Sequence, residues 1–143
     1  MPDKKLLYLH LPASGALPAD GLPSAPFLAI LVAEEEDVDD LWQFDVCRAI
    51  AASSCRYLLA WGADCAAWRE AVDDAFLEAV DYEDVPPERA LLTTAHEDED
   101  IDEVFWYARH RAAHPAVPLD TVVILHVAPS PDRERLTGAY RDA

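Results

Sequence analysis

Apolar positions along this chain follow two different periods, and the periods alternate. Residues 4–11 (KKLLYLHL) put Leu7, Leu9 and Leu11 on one side and Leu6, Tyr8 and His10 on the other, which is strand spacing. Residues 27–33 (FLAILVA), 56–61 (RYLLAW), 90–95 (ALLTTA) and 121–128 (TVVILHVA) are short apolar runs of strand length. Between these runs the spacing becomes helical. Over 38–54 the apolar positions include Val38, Leu41, Trp42, Val46, Ala49 and Ile50; over 64–80 they include Trp68, Val72, Ala75, Phe76 and Ala79. The clearest helix is 99–113, where Ile101, Val104, Phe105, Ala108 and Ala112 sit at i, i+3, i+4, i+7 and i+11.

Strands apolar on both faces, alternating with helices, predict a mostly parallel sheet of four to five strands with helices on its two sides. The expected fold class is therefore α/β: a single three-layer αβα domain over residues 1–143, Rossmann-like or flavodoxin-like. Residues 1–11 are expected as an edge strand and 27–128 as the alternating core. Residues 129–143 should form a short helix or tail, with Ser130 as N-cap and Pro131 at the first helical position. Residues 12–26 (PASGALPADGLPSAP) contain four prolines and two glycines and read as loop. A connection of this length is long for a compact domain and suits a segment lying across a surface.

Composition narrows the range of partners. The 143 residues amount to one domain, and 52% apolar with 27% charged is a globular balance. Asp and Glu number 28 against 11 Lys and Arg, a formal net charge of -17. Nucleic acid and anionic membranes are excluded as partners on that ground, since phosphate binding needs a cationic footprint. No apolar run approaches the roughly 20 residues that span a bilayer, and the opening MPDKKLLYLHLPASG does not read as a cleaved leader. The three cysteines lack framework spacing and suit reduced thiols in a cytoplasmic setting.

In a parallel α/β sheet ligands bind beyond the carboxyl ends of the strands. Those ends are AEEEDVDD, WGADC, TTAHEDEDIDE and HVAPSPD. Of four glycines only Gly62 lies within the alternating core, and there is no GxGxxG, GxxxxGK[ST] or GxSxG. Without a glycine-rich nucleotide loop, dinucleotide binding, P-loop phosphoryl transfer and nucleophile-elbow hydrolysis are disfavoured, and no cofactor is implied.

What the carboxyl ends do carry is acid. Glu34, Glu35, Glu36, Asp37, Asp39 and Asp40 follow one strand, and Glu97, Asp98, Glu99, Asp100, Asp102 and Glu103 follow another. Arg48, Arg56, Arg89, Arg109 and Arg111 fall at the opposite edge, so the molecule is expected to be bipolar. Complementing helix dipoles accounts for some of this, at roughly 0.3 to 1 kcal/mol per exposed charge, but fades within one turn. The excess points to a cationic partner.

Three reactive side chains are also expected at these ends. Cys65 opens a helix after Asp64, a candidate N-cap, while His96 and His126 end strands. If they converged, Cys65 could serve as nucleophile, His96 or His126 as general base, and Asp64 or Glu97 as the orienting group. The same set with an acid could hold zinc, with His96 and His126 as ligands, although no metal is predicted outright. A histidine ending a strand is more often a partly buried hydrogen-bonding residue, and that structural use is the default expectation. Other signals have plainer uses. His110 and His114 suit a basic last turn, Thr93 and Thr94 suit a strand, and Trp61, Trp68 and Trp106 suit packing. Cys47 suits a helix face as a small hydrophobe, and Cys55 suggests no function.

Three functions follow. The favoured one is a small acidic interaction module docking a basic protein through its carboxylate-rich edge, as an inhibitor, immunity-type or accessory protein. The alternatives are a thiol- or metal-assisted hydrolase using Cys65, His96 and His126, and a module that binds a divalent ion or small cationic ligand.

Overall fold

The computed structural model describes residues 4–13, 15–17 and 21–143. Its five strands are β1 (Lys5–Leu11), β2 (Phe27–Ala33), β3 (Cys55–Gly62), β4 (Leu92–His96) and β5 (Thr121–Val127). Its helices are α1 (Asp40–Ala52), α2 (Cys65–Ala79), α3 (Ile101–His110) and α4 (Arg133–Asp142), with a 3-10 turn at Pro87–Arg89. The sheet runs in the order β1-β5-β2-β3-β4 and every pairing is parallel. Taken from β4, the strands β4-β3-β2-β5 form a doubly wound half, and β1 adds the place beyond β5.

Burial explains the apolar runs. All seven residues of β2 are buried, because this strand has a neighbour on each side and helices on both faces. One face of the sheet packs Leu31, Leu58, Val123 and Leu125 against Val46 and Ile50 of α1 and Trp68 and Val72 of α2. The other packs Ile30, Leu59 and Ile124 against Phe105 of α3 and Leu136 and Tyr140 of α4. Phe105 and Tyr140 meet edge to face at 5.8 Å, and Trp42 and Trp68 do so at 6.0 Å. The loop after β1 is tied to the first face: the Trp42 indole donates to the Gly15 carbonyl at 2.7 Å, and Leu17 and Leu22 pack on that core.

Gly62 ends β3 at φ 102°, where a Cβ would lie 2.1 Å from the Ala33 carbonyl oxygen. That oxygen accepts from the Ala63 amide at 2.8 Å, so β2 and β3 finish in close backbone contact.

Several expected boundaries move inward. Helix α3 stops at His110, so His114 is not on the same helix; its ring donates to Ala90 O at 2.9 Å and accepts from Ala116 N at 3.1 Å. The last helix begins at Arg133 with Asp132 in the cap position, not Ser130. The Asp132 amide is used elsewhere, donating to the Tyr8 hydroxyl at 2.9 Å.

Candidate functional site

Helices α1 and α4 leave the adjacent strands β2 and β5 toward opposite faces of the sheet. Their carboxyl ends therefore flank the switch point, the usual ligand crevice of such sheets. Where a nucleotide-binding domain carries its glycine-rich turn, this chain has Glu34, Glu35, Glu36 and Asp37. Anionic phosphate would meet carboxylates there instead of amides.

The crevice carries a polar network. His126, 1% exposed, shares its face with Val122 and Ile124 and stands opposite His10 of β1 and Val32 of β2. Its Nε2 lies 2.6 Å from Glu34 Oε1, and its Nδ1 lies 2.6 Å from the Tyr8 hydroxyl. A carboxylate only accepts, so Nε2 carries the hydrogen and Nδ1 accepts from Tyr8 O–H. The Tyr8 oxygen accepts in turn from the Asp132 amide. Desolvation raises the Tyr8 pKa. Arg135 completes the network, donating through Nη2 to Glu34 and through Nε to Asp132, each at 2.5 Å. His10 donates to the Ala128 carbonyl at 2.7 Å. Every polar atom of the His126 ring is thus satisfied by a different element: Tyr8 from β1, and Glu34 following β2.

This corrects the expectation that Cys65, His96 and His126 converge. Strands β4 and β5 are separated by β2 and β3, so His96 and His126 stand about 14 Å apart at ordinary strand spacing. Cys65 packs into the α1–α2 face, whereas His96 is on the side of Leu92 and Tyr107. The thiol is 2% exposed, and burial pushes its pKa up, away from a thiolate nucleophile. Asp64 occupies the cap position of α2 at φ 53° but makes no side-chain cap, so it orients neither group. His96 is held locally instead: Nδ1 pairs with Glu99, and Nε2 lies 2.8 Å from Thr94 Oγ1. Among the described residues no three His, Cys, Asp or Glu side chains gather as a metal site. A zinc site on Cys65, His96 and His126 fails with the catalytic set: strand order removes His126, and although the Cys65 thiol lies against the His96 backbone, the His96 ring is on the other face of the sheet.

The acidic groups do lie at the carboxyl edge. Asp39 caps α1 by accepting from Trp42 N at 3.1 Å, Glu34 is taken up by His126 and Arg135, and Glu99 by His96. Glu36, Asp37, Asp40, Glu97, Asp98 and Asp100 are exposed and make no ion pair among the described residues. Glu35 holds one carboxylate oxygen out of solvent with no hydrogen-bond partner.

Bipolarity is incomplete, because Arg133 and Arg135 begin α4 on the acidic edge. At the other edge three of the arginines bind backbone, Arg56 donating to Glu88 O, Arg89 to Ala51 O, and Arg109 to Arg141 O and Ala143 O, while Arg48 pairs with Glu78 at 2.9 Å. Tyr8, Arg135 and Asp132 were not legible as site residues. Tyr8 reads only as a strand position, and Asp132 and Arg135 gain their partners across separations of 124 and 101 residues, which the β1–β5 and β2–β5 pairings close.

A family model described as a domain of unknown function (DUF7684) matches residues 6–143. No curated protein and no solved structure matches the chain.

Proposed function

We propose that this chain, which belongs to the DUF7684 family, is a small acidic interaction module that docks a basic partner protein through the carboxyl edge of its sheet. The observation that carries the reading is the unpaired acid on that edge: Glu36, Asp37, Asp40, Glu97, Asp98 and Asp100 have no cation of their own among the described residues. Desolvating carboxylates without a counter-charge is costly, so an apolar or acidic surface would not seat there, whereas lysine and arginine side chains would. The orphan oxygen of Glu35 at the root of the same loop supports the reading, since a partner's donor would satisfy it. The switch point also supports it, because its polar side chains Tyr8, His126, Glu34 and Arg135 are engaged with one another. The three unpaired thiols fit action in the reducing cytoplasm.

Complementary charge would speed association and make it salt-sensitive. The test is capture at low salt followed by titration of the captured protein against ionic strength. A basic protein whose affinity falls with salt and is lost when Glu36, Asp40, Glu97 and Asp98 are changed to lysine is the expected result. Salt-independent binding that survives those changes would overturn the reading. Binding of polyamines or divalent ions without any protein would favour a module for small cations.

A further inference from the structure

The sheet ends on β4, and among the described residues nothing pairs with the side of β4 that faces away from β3. Such an edge presents unpaired N–H and C=O groups, which proteins usually blunt with lysine, proline or a bulge. At the opposite edge β1 opens with Lys5, and Lys4 precedes it. Strand β4 has no lysine, no proline and an unbroken register with β3 from Tyr57↔Leu92 to Trp61↔His96. Beside this edge an open cleft of about 640 Å³ runs between α2 and the end of β4. Arg69, Glu70 and Asp73 line it from the helix, and Glu97, Asp98 and Glu99 line it from the strand's end. Asp73 and Arg69 are occupied with Thr93, at 2.7 and 3.3 Å, and Glu99 with His96. Glu70, Glu97 and Asp98 make no ion pair among the described residues.

We infer that β4 accepts an extended basic segment of the partner as a sixth strand, with alternate cationic side chains lying in this cleft. The inference rests on the docking reading and specifies how the partner is held. Main-chain hydrogen bonds supply affinity in strand addition, and pockets for alternate side chains supply specificity. Thr93 and Ala95 face α2, as the Thr93–Asp73 bond and the packing of Ala95 on the α1–α2 core establish. Side chains at every second position of an added strand therefore point along Glu70 and toward Glu97 and Asp98. The occupant is a basic segment and not a second copy of this chain, because two chains of net charge -17 would oppose their acidic clefts.

The probe is an eight-residue peptide alternating lysine and valine, with a glutamate–valine peptide as control, titrated into the whole chain at low salt. Amide exchange is followed by NMR. Expected results are binding of the lysine peptide alone, new protection confined to amides within 92–96, and weakening of about tenfold in Glu70→Lys against less than about threefold in Glu36→Lys. Binding that leaves the amides of 92–96 unprotected and is weakened mainly by Glu36→Lys overturns strand addition and leaves the docking reading intact. Strand addition also falls, with docking intact, if a folded basic protein binds with salt dependence and the peptide does not. If neither binds at low salt, both readings fall. Protection of 92–96 that appears without peptide and rises with protein concentration identifies a second copy as the occupant and overturns the basic segment.

Discussion

His126 and Glu34 meet at 2.6 Å across the joint where β5 and β2 end side by side, 92 residues apart in sequence. The contact is a structural tie between the two strand ends. It satisfies the ring of a fully enclosed histidine, and it fixes the first acid of the 34–40 loop at the surface, where that side chain stays 31% exposed.

Truncating that histidine should be strongly destabilising. His126→Ala leaves a cavity and strips the Tyr8 hydroxyl and the Glu34 carboxylate of a partner, so a loss of about 2–4 kcal/mol is expected in urea unfolding. Tyr8→Phe removes two hydrogen bonds, to His126 and from Asp132, and should cost about 1–2 kcal/mol. Because both changes act on one network, the double variant should lose less than the sum. Strict additivity would show that Tyr8 and His126 are not coupled.

Gly62→Ala should be among the most damaging single-methyl additions. The new Cβ would lie 2.1 Å from a backbone oxygen, and the φ of 102° is unfavourable for any side chain. A loss of more than about 2 kcal/mol, or failure to accumulate folded protein, is expected, whereas Gly138→Ala on α4, with nothing within 4 Å, should be neutral or stabilising. Equal melting temperatures for the two variants would contradict this account.

The thiols set an alkaline limit. Burial pushes Cys47 and Cys55 up from 9.0 to about 12, so the folded state keeps protons that the unfolded chain releases. Stability from these groups is fully present below pH 9 and is lost as pH rises from 9 toward 12, each thiol withdrawing about 1.4 kcal/mol per pH unit. Cys47→Ala should flatten that decline in chemical denaturation measured at pH 8, 9.5 and 11. An unchanged slope would place the loss in other groups.

Cys65 is expected to be inert in the native protein. With a buried thiol whose pKa is raised, it should react with a disulfide reagent at pH 8 only after unfolding, as should Cys47 and Cys55. Cys65→Ser should leave partner binding unchanged. Rapid labelling of a single thiol in the folded chain would restore the case for a nucleophile.

The alternation of apolar runs and helical stripes was sufficient for the αβα layering, because each element's burial is written in its own period. FLAILVA reads as a strand buried on both faces, and it is fully buried between β5 and β3. The missing glycine loop and the acidic carboxyl ends were equally plain, since both are local properties of short segments. Strand order was not. Placing β5 between β1 and β2 depends on which long-range pairing buries the most surface, and no segment records that by itself. This order decided the site: it brought Tyr8, Glu34 and Arg135 around His126 and kept His96 about 14 Å away, while the side of the sheet that α2 covers took Cys65. The sequence by itself determined what each strand and loop is made of. Only the tertiary structure decided which of them are neighbours, because neighbour choice is a free-energy competition over the whole chain.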